Sequence, residues 1–75
     1  MVSTGGVPVK SPMVGKVIEV LVEVGARVSA DDELLILESM KMEIPVVAPR
    51  DGVVQELRVS AGDTVQEDDI LLLLG

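Results

Sequence analysis

Residues 12–37 read PMVGKVIEVLVEVGARVSADDELLIL, and residues 49–74 read PRDGVVQELRVSAGDTVQEDDILLLL. The second stretch is the first displaced by 37 positions, with 12 of the 26 aligned positions identical. These are Pro12/Pro49, Gly15/Gly52, Val17/Val54, Glu19/Glu56, Val22/Val59, Gly25/Gly62, Val28/Val65, Asp31/Asp68, Asp32/Asp69, Leu34/Leu71, Leu35/Leu72 and Leu37/Leu74. A match of this density is an internal repeat. Each copy is too small to bury an apolar face by itself, so the two must pack on each other. Between them lies one short connection, Glu38-Ser39-Met40-Lys41-Met42-Glu43.

Within each copy the punctuation is that of strands and turns. Val7 to Lys10 suits a short edge strand, where Pro8 is tolerated. Ser11-Pro12 breaks it, and Gly15 opens a long strand over Lys16 to Val24. Gly25 marks a turn, Val28 a short apolar point and Asp31-Asp32 another turn. Leu34 to Leu37 is the next strand. The second copy repeats the order: a turn at Pro49 to Gly52, a strand over Val53 to Val59, turns at Ala61-Gly62-Asp63 and Asp68-Asp69, and a last strand over Ile70 to Leu74. Val, Ile and Thr favour strand over helix. Glu33 to Met42 is the one stretch whose residues favour a helix. We read it as strand, because its counterpart Leu71 to Leu74 runs straight to the chain end.

Positions that are apolar in both copies identify the core: 17/54, 20/57, 22/59, 28/65, 34/71 and 36/73. Residues 20 and 22 share a face at the strand period of two, but 17 has the other parity. A bulge between Val17 and Val20 reconciles them. Ile18 and Leu21 align with Gln55 and Arg58 of the other copy and fall on the outer surface, either as ordinary scatter or as a docking patch for another domain. The fold class is therefore all-β: two small antiparallel sheets with quasi-two-fold symmetry, joined through a hairpin at Lys41. The chain ends fall at the pole away from that hairpin.

Composition narrows the function. Seventy-five residues make one domain. Met1 to Gly6 reads as a flexible start, and residues 7–75 as the folded unit. There is no Cys, His, Phe, Tyr or Trp. The core must be built from Val, Leu, Ile and Met, without disulfide staples. Missing histidine removes the usual general base near neutral pH and a common metal ligand. Missing aromatics removes stacking platforms for bases. A formal charge of −7 argues against nucleic acid and anionic membranes as partners. No stretch has the length of a membrane span or the layout of a signal peptide. The expected setting is the cytoplasm, with an organelle matrix open. We expect no catalytic residues and no metal.

The connection is the one place where residue choice departs from structural need. A two-residue turn at Met40-Lys41 lacks the Gly, Asn or Asp that such turns favour. Lysine offers one primary amine on a flexible stem, reachable at a hairpin tip by a large partner. Methionine suits contact with changing partners. On residue chemistry alone two readings stand: a handle for modification, or an ordinary solvated lysine between two core methionines.

Glu38 to Glu43 resembles the attachment sequence of biotinyl domains, the biotin carboxyl carrier family, in which the lysine between two methionines receives biotin. Ser11-Pro12-Met13-Val14-Gly15 looks like the family's first turn. Gly25 and Gly62 match its repeated turn glycines, and Ala48-Pro49-Arg50-Asp51-Gly52 its segment after the hairpin. The likeness covers roughly residues 9 to 74. It implies a flattened β-barrel, or barrel-sandwich hybrid, of two four-stranded antiparallel sheets. The copies align without insertion, as in members that lack a thumb loop. It also implies a non-catalytic carrier. A biotin protein ligase would attach biotin to Lys41 through biotinyl-adenylate, with Met40 and Met42 flanking and Glu38 and Glu43 aiding ligase recognition. A biotin carboxylase would then carboxylate the tethered biotin, and a carboxyltransferase would pass the carboxyl group to an acyl-CoA or keto acid. The isolated domain is expected to be monomeric. The nearest alternative is a lipoyl carrier domain of a 2-oxo acid dehydrogenase complex. Its motif has Asp before the lysine and a small residue after it, unlike Met40 and Met42. A purely structural hybrid domain, as in membrane-fusion adaptors, would have long helices between the halves.

Overall fold

The computed structural model describes residues 6–75. The flexible start read for Met1 to Gly6 lies, Gly6 apart, outside the described residues. Eight strands follow in order: β1 (Val7–Lys10), β2 (Gly15–Val20), β3 (Arg27–Val28), β4 (Glu33–Ser39), β5 (Met42–Val47), β6 (Gly52–Leu57), β7 (Thr64–Val65) and β8 (Ile70–Leu74). They form two four-stranded sheets, β1-β8-β6-β3 and β5-β4-β2-β7. Every pairing is antiparallel. Advancing each strand by four turns one sheet into the other, which is the repeat expressed as a quasi-two-fold axis. The copies are interlocked: β3 of the first pairs with β6 of the second, and β7 of the second with β2 of the first.

The turns obey the same symmetry. The Gly25 N–H donates to the Val54 carbonyl at 2.8 Å, and the Gly62 N–H to that of Val17 at 2.7 Å. Both glycines have positive φ, 94° and 100°. A Cβ at either would meet nothing within 4 Å, so torsion and not space calls for glycine there. At the next turn the Ser29 N–H donates to Asp32 Oδ2, and the Gln66 N–H to Asp69 Oδ2, both at 2.8 Å. Each aspartate carboxylate accepts from the backbone N–H three residues before it and so closes a tight turn. Asp31 and Asp68 sit there at φ 72° and 70°. The edges of the sheets are blunted. Pro8 and Pro45 lie in the edge strands β1 and β5, and the other two edges, β3 and β7, are two residues long.

The expected bulge is present. The register of β2 on β4 shifts between Val17 and Glu19, and that of β6 on β8 between Val54 and Glu56. Val17 and Val54 are buried, while Ile18 and Leu21 are exposed, as are Gln55 and Arg58.

Two expectations need correction. The first long strand ends at Val20, not Val24, and its twin at Leu57, not Val59. After the Leu21 N–H has donated to the Leu34 carbonyl at 2.9 Å, the chain turns at Glu23–Ala26 so that Gly25 can reach Val54. Val20, Val22, Leu57 and Val59 consequently pack against the core from half-buried positions.

The core parity of β4 and β8 also differs. Leu34 and Leu71 are buried as expected, but Ile36 and Leu73 are only half-buried. Leu35, Leu37, Leu72 and Leu74 are fully buried. The pairing of β4 with β5 steps from Glu33 to Leu35, and that of β8 with β1 from Ile70 to Leu72. Leu34 and Leu71 are the extra residues of this second pair of bulges. They face inward together with their neighbours, and the parity reverses beyond them.

Leu35→Ala should therefore lower the unfolding free energy by about 2–5 kcal/mol in urea melts, and Ile36→Ala by less. Equal losses at the two positions would contradict the observed parity.

Candidate functional site

β4 and β5 form the hairpin that ends the second sheet. Pairing continues through Glu38↔Glu43 and Ser39↔Met42, leaving Met40 and Lys41 as a two-residue loop. Their φ values are 53° and 66°. Two successive positive φ values identify a type I′ turn, whose twist matches that of the flanking strands. An L-residue with a Cβ costs roughly 1–2 kcal/mol in this conformation. The turn the hairpin needs is thus made from two residues poorly suited to it.

The side chains around the loop divide sharply. Ser39 is buried, whereas Lys41 is exposed. Met40 is 88% exposed and Met42 59%. The reading of core methionines around an ordinary lysine is thereby set aside. Among the described residues the buried core contains Val, Leu and Ala but no methionine. Glu38 and Glu43 stand directly opposite each other, both exposed. Like charges at paired positions repel. Lys16 is the partner of Glu38 on the other side. Among the described residues the single ion pair is Arg58–Glu56 at 3.1 Å, half-exposed and outside this hairpin. Neither glutamate, nor Lys41, is held by a salt bridge.

Sequence reasoning brought together Glu38, Met40, Lys41, Met42 and Glu43, and all five lie on this hairpin. It missed what supports them. A Cβ on Gly15 would come within 2.8 Å of the Glu38 carbonyl oxygen and 3.6 Å of Ser39 Cβ. The start of β2 therefore presses on the base of the hairpin. The available signal was the repeat itself: Gly52, the counterpart of Gly15, meets the Gly75 carbonyl oxygen in the same way. With its base gripped and its turn fixed, the hairpin presents one primary amine away from the body of the domain. The apolar side chains beside that amine are left in water. This arrangement fits covalent acylation of Lys41 by a partner enzyme, and the open tip leaves room for a bulky group.

The strain at the turn is testable. Met40→Asn combined with Lys41→Gly should stabilise the fold by about 1–3 kcal/mol in chemical denaturation. A loss of stability would mean that the loop is not held in the left-handed region.

Comparison with known proteins gives a consistent picture. The profile of the family described as "Biotin-requiring enzyme" matches residues 7–74. The gamma subunit of glutaconyl-CoA decarboxylase from Acidaminococcus fermentans is 54% identical over 39 residues, covering 52% of this chain and 27% of that subunit. A single-chain, multi-domain long-chain acyl-CoA carboxylase superposes with a TM-score of 0.87 at 30% identity, over 96% of this chain and 7% of its own. The urea carboxylase of Kluyveromyces lactis superposes with a TM-score of 0.90 at 27% identity, over 100% of this chain and 7% of its own. The chain thus spans about a quarter of the curated relative it matches and a small part of each carboxylase. It belongs to the family of biotin-requiring enzymes, as a biotin carrier domain.

Proposed function

We propose that Lys41 is the attachment residue and that the unit formed by residues 7–75 is a monomeric, non-catalytic carrier. The observation that carries this is the position of Lys41 in a left-handed two-residue loop, exposed and flanked by exposed methionines. A biotin protein ligase is the first partner. Lys41 Nζ attacks the activated carboxyl carbon of biotin, an amide bond forms, the activating group leaves and the amine loses its proton. The turn fixes where the flexible Lys41 stem begins. Met40 and Met42 give the ligase apolar surface to grip, and Glu38 and Glu43 give it negative charge to approach. Once attached, biotin supplies a ring that can accept a carboxyl group from a biotin carboxylase and yield it to a carboxyltransferase. Tethering raises the effective concentration of that ring at both enzymes. What this chain contributes is a rigid base, a flexible stem and a surface that both enzymes can meet. The gamma subunit of glutaconyl-CoA decarboxylase and the acyl-CoA carboxylase support an acyl-CoA as the class of carboxyl partner. The compartment we assign is the cytoplasm, with an organelle matrix left open.

The fold is common to carriers of biotin and lipoate, so discrimination must rest on local side chains. An aspartate at 40 would put charge where Met40 is apolar, and a small residue at 42 would remove bulk beside the amine.

Incubation with a biotin protein ligase, biotin and ATP should add one biotinyl mass to the wild type and none to Lys41→Arg. Biotin retained in that variant would refute the assignment. Met40→Asp with Met42→Ala should slow biotinylation and permit attachment by a lipoyl ligase, while stability moves by less than about 1 kcal/mol because neither side chain is in the core. A folded double variant that is biotinylated at the wild-type rate and never lipoylated would show that the methionines do not discriminate.

A further inference from the structure

Oxidants have few places to act on this protein. It has no Cys, Trp, Tyr or His. Its 4 methionines are the side chains that peroxide attacks most readily. None of the 13 buried core residues is a methionine. Met13 is half-buried. Met40, at 88%, and Met42, at 59%, are exposed to solvent and stand on either side of Lys41. Among the described residues the accessible oxidisable sulfur is therefore concentrated at the hairpin tip, and the interior is built from inert Val, Leu and Ala.

We propose that Met40 and Met42 form a reversible oxidation site that gates loading of the carrier. The proposal rests on Lys41 being the attachment residue. Peroxide transfers one oxygen atom to each thioether: the O–O bond breaks, an S–O bond forms, the sulfur loses two electrons and water leaves. A dithiol reductant of the methionine sulfoxide reductase class reverses the step, becoming a disulfide and releasing water. The sulfoxide turns a soft apolar side chain into a polar one. A ligase that accepts the methionines into apolar contact would have to bury that new oxygen without a partner. Oxidation of chains not yet loaded thus withholds them from attachment. The fold is untouched, because no core side chain changes.

The test uses the whole chain, hydrogen peroxide, a biotin protein ligase and a methionine sulfoxide reductase. Tryptic cleavage after Lys10, Lys16, Arg27, Lys41 and Arg50 places each methionine on its own peptide. Met40 and Met42 should gain oxygen before Met13 does, while circular dichroism stays unchanged. The oxidised protein should be biotinylated roughly 10- to 100-fold more slowly than the untreated protein, and reductase treatment should restore the rate. Met40→Leu with Met42→Leu should show one rate before and after peroxide, whatever that rate is. Oxidation of Met13 first would overturn the site, as would equal rates for oxidised and untreated wild type. So would a slowing by peroxide that persists in the leucine variant. If the untreated wild type is itself not biotinylated, the reading of Lys41 fails along with the gate, whereas the order of sulfur oxidation is read from the peptides independently.

Discussion

Neither copy of the repeat can close a sheet without strands from the other. Gly25 must reach Val54, and Gly62 must reach Val17, for the two-residue strands β3 and β7 to find their places. This reciprocal exchange is the constraint on which the rest of the structure depends. It explains the tight turns with left-handed Gly and Asp residues, the twin bulges at Ile18 and Gln55, and a core in which Leu35, Leu37, Leu72 and Leu74 are all fully buried. In a chain without disulfides or aromatic residues, such interlocking couples local elements into one cooperative unit.

The symmetry is broken at the hairpin that carries the proposed attachment site. β4 continues into its partner β5 through Met40 and Lys41, whereas β8 pairs with β1, a strand from before the first copy. The base of the hairpin inherits its rigidity from the repeat, through the close approach of Gly15 to Glu38. The tip carries features that cost stability: two non-glycine residues at positive φ, two exposed methionines and two glutamates face to face. Concessions of this kind at one place, on an otherwise consistent fold, mark a functional site. In the reading we propose, the covalent chemistry belongs to partner enzymes and the domain is their carrier. It needs an accessible amine in a defined place.

Much of this was legible in the sequence because the repeat supplies two independent readings of each position. The bulge after Val17 followed from the conflict of parity between Val17 and Val20, and the exposure of Ile18 and Leu21 from their polar counterparts. The hairpin followed from the unique segment between the copies. What could not be read were features that the two copies share without a polar mark. The run Leu34 to Leu37 is apolar throughout, and so is Leu71 to Leu74. No alternation reveals the second bulge, and the inward face was assigned one residue out beyond it. The early ends of β2 and β6 were hidden for a similar reason: Leu21 and Val22 look like strand, but tertiary hydrogen bonding turns the chain there. The support of the hairpin by Gly15 depends on a contact with Glu38, 23 residues later, that local pattern does not encode.

In the reading we propose, the turn places one amine in a position set by backbone geometry, so that location and not exposure selects the modified residue. Transposing the tip by Met40→Lys with Lys41→Met tests it most directly. The variant keeps the composition, the charge, the loop length and a lysine in the loop, and shifts the amine by one residue. The measurement is intact mass after incubation with a biotin protein ligase, with circular dichroism to verify the fold. The variant should fold and acquire no biotin, because a lysine at position 40 leaves the turn in another direction. Biotinylation of the transposed lysine at the wild-type rate would contradict that reading.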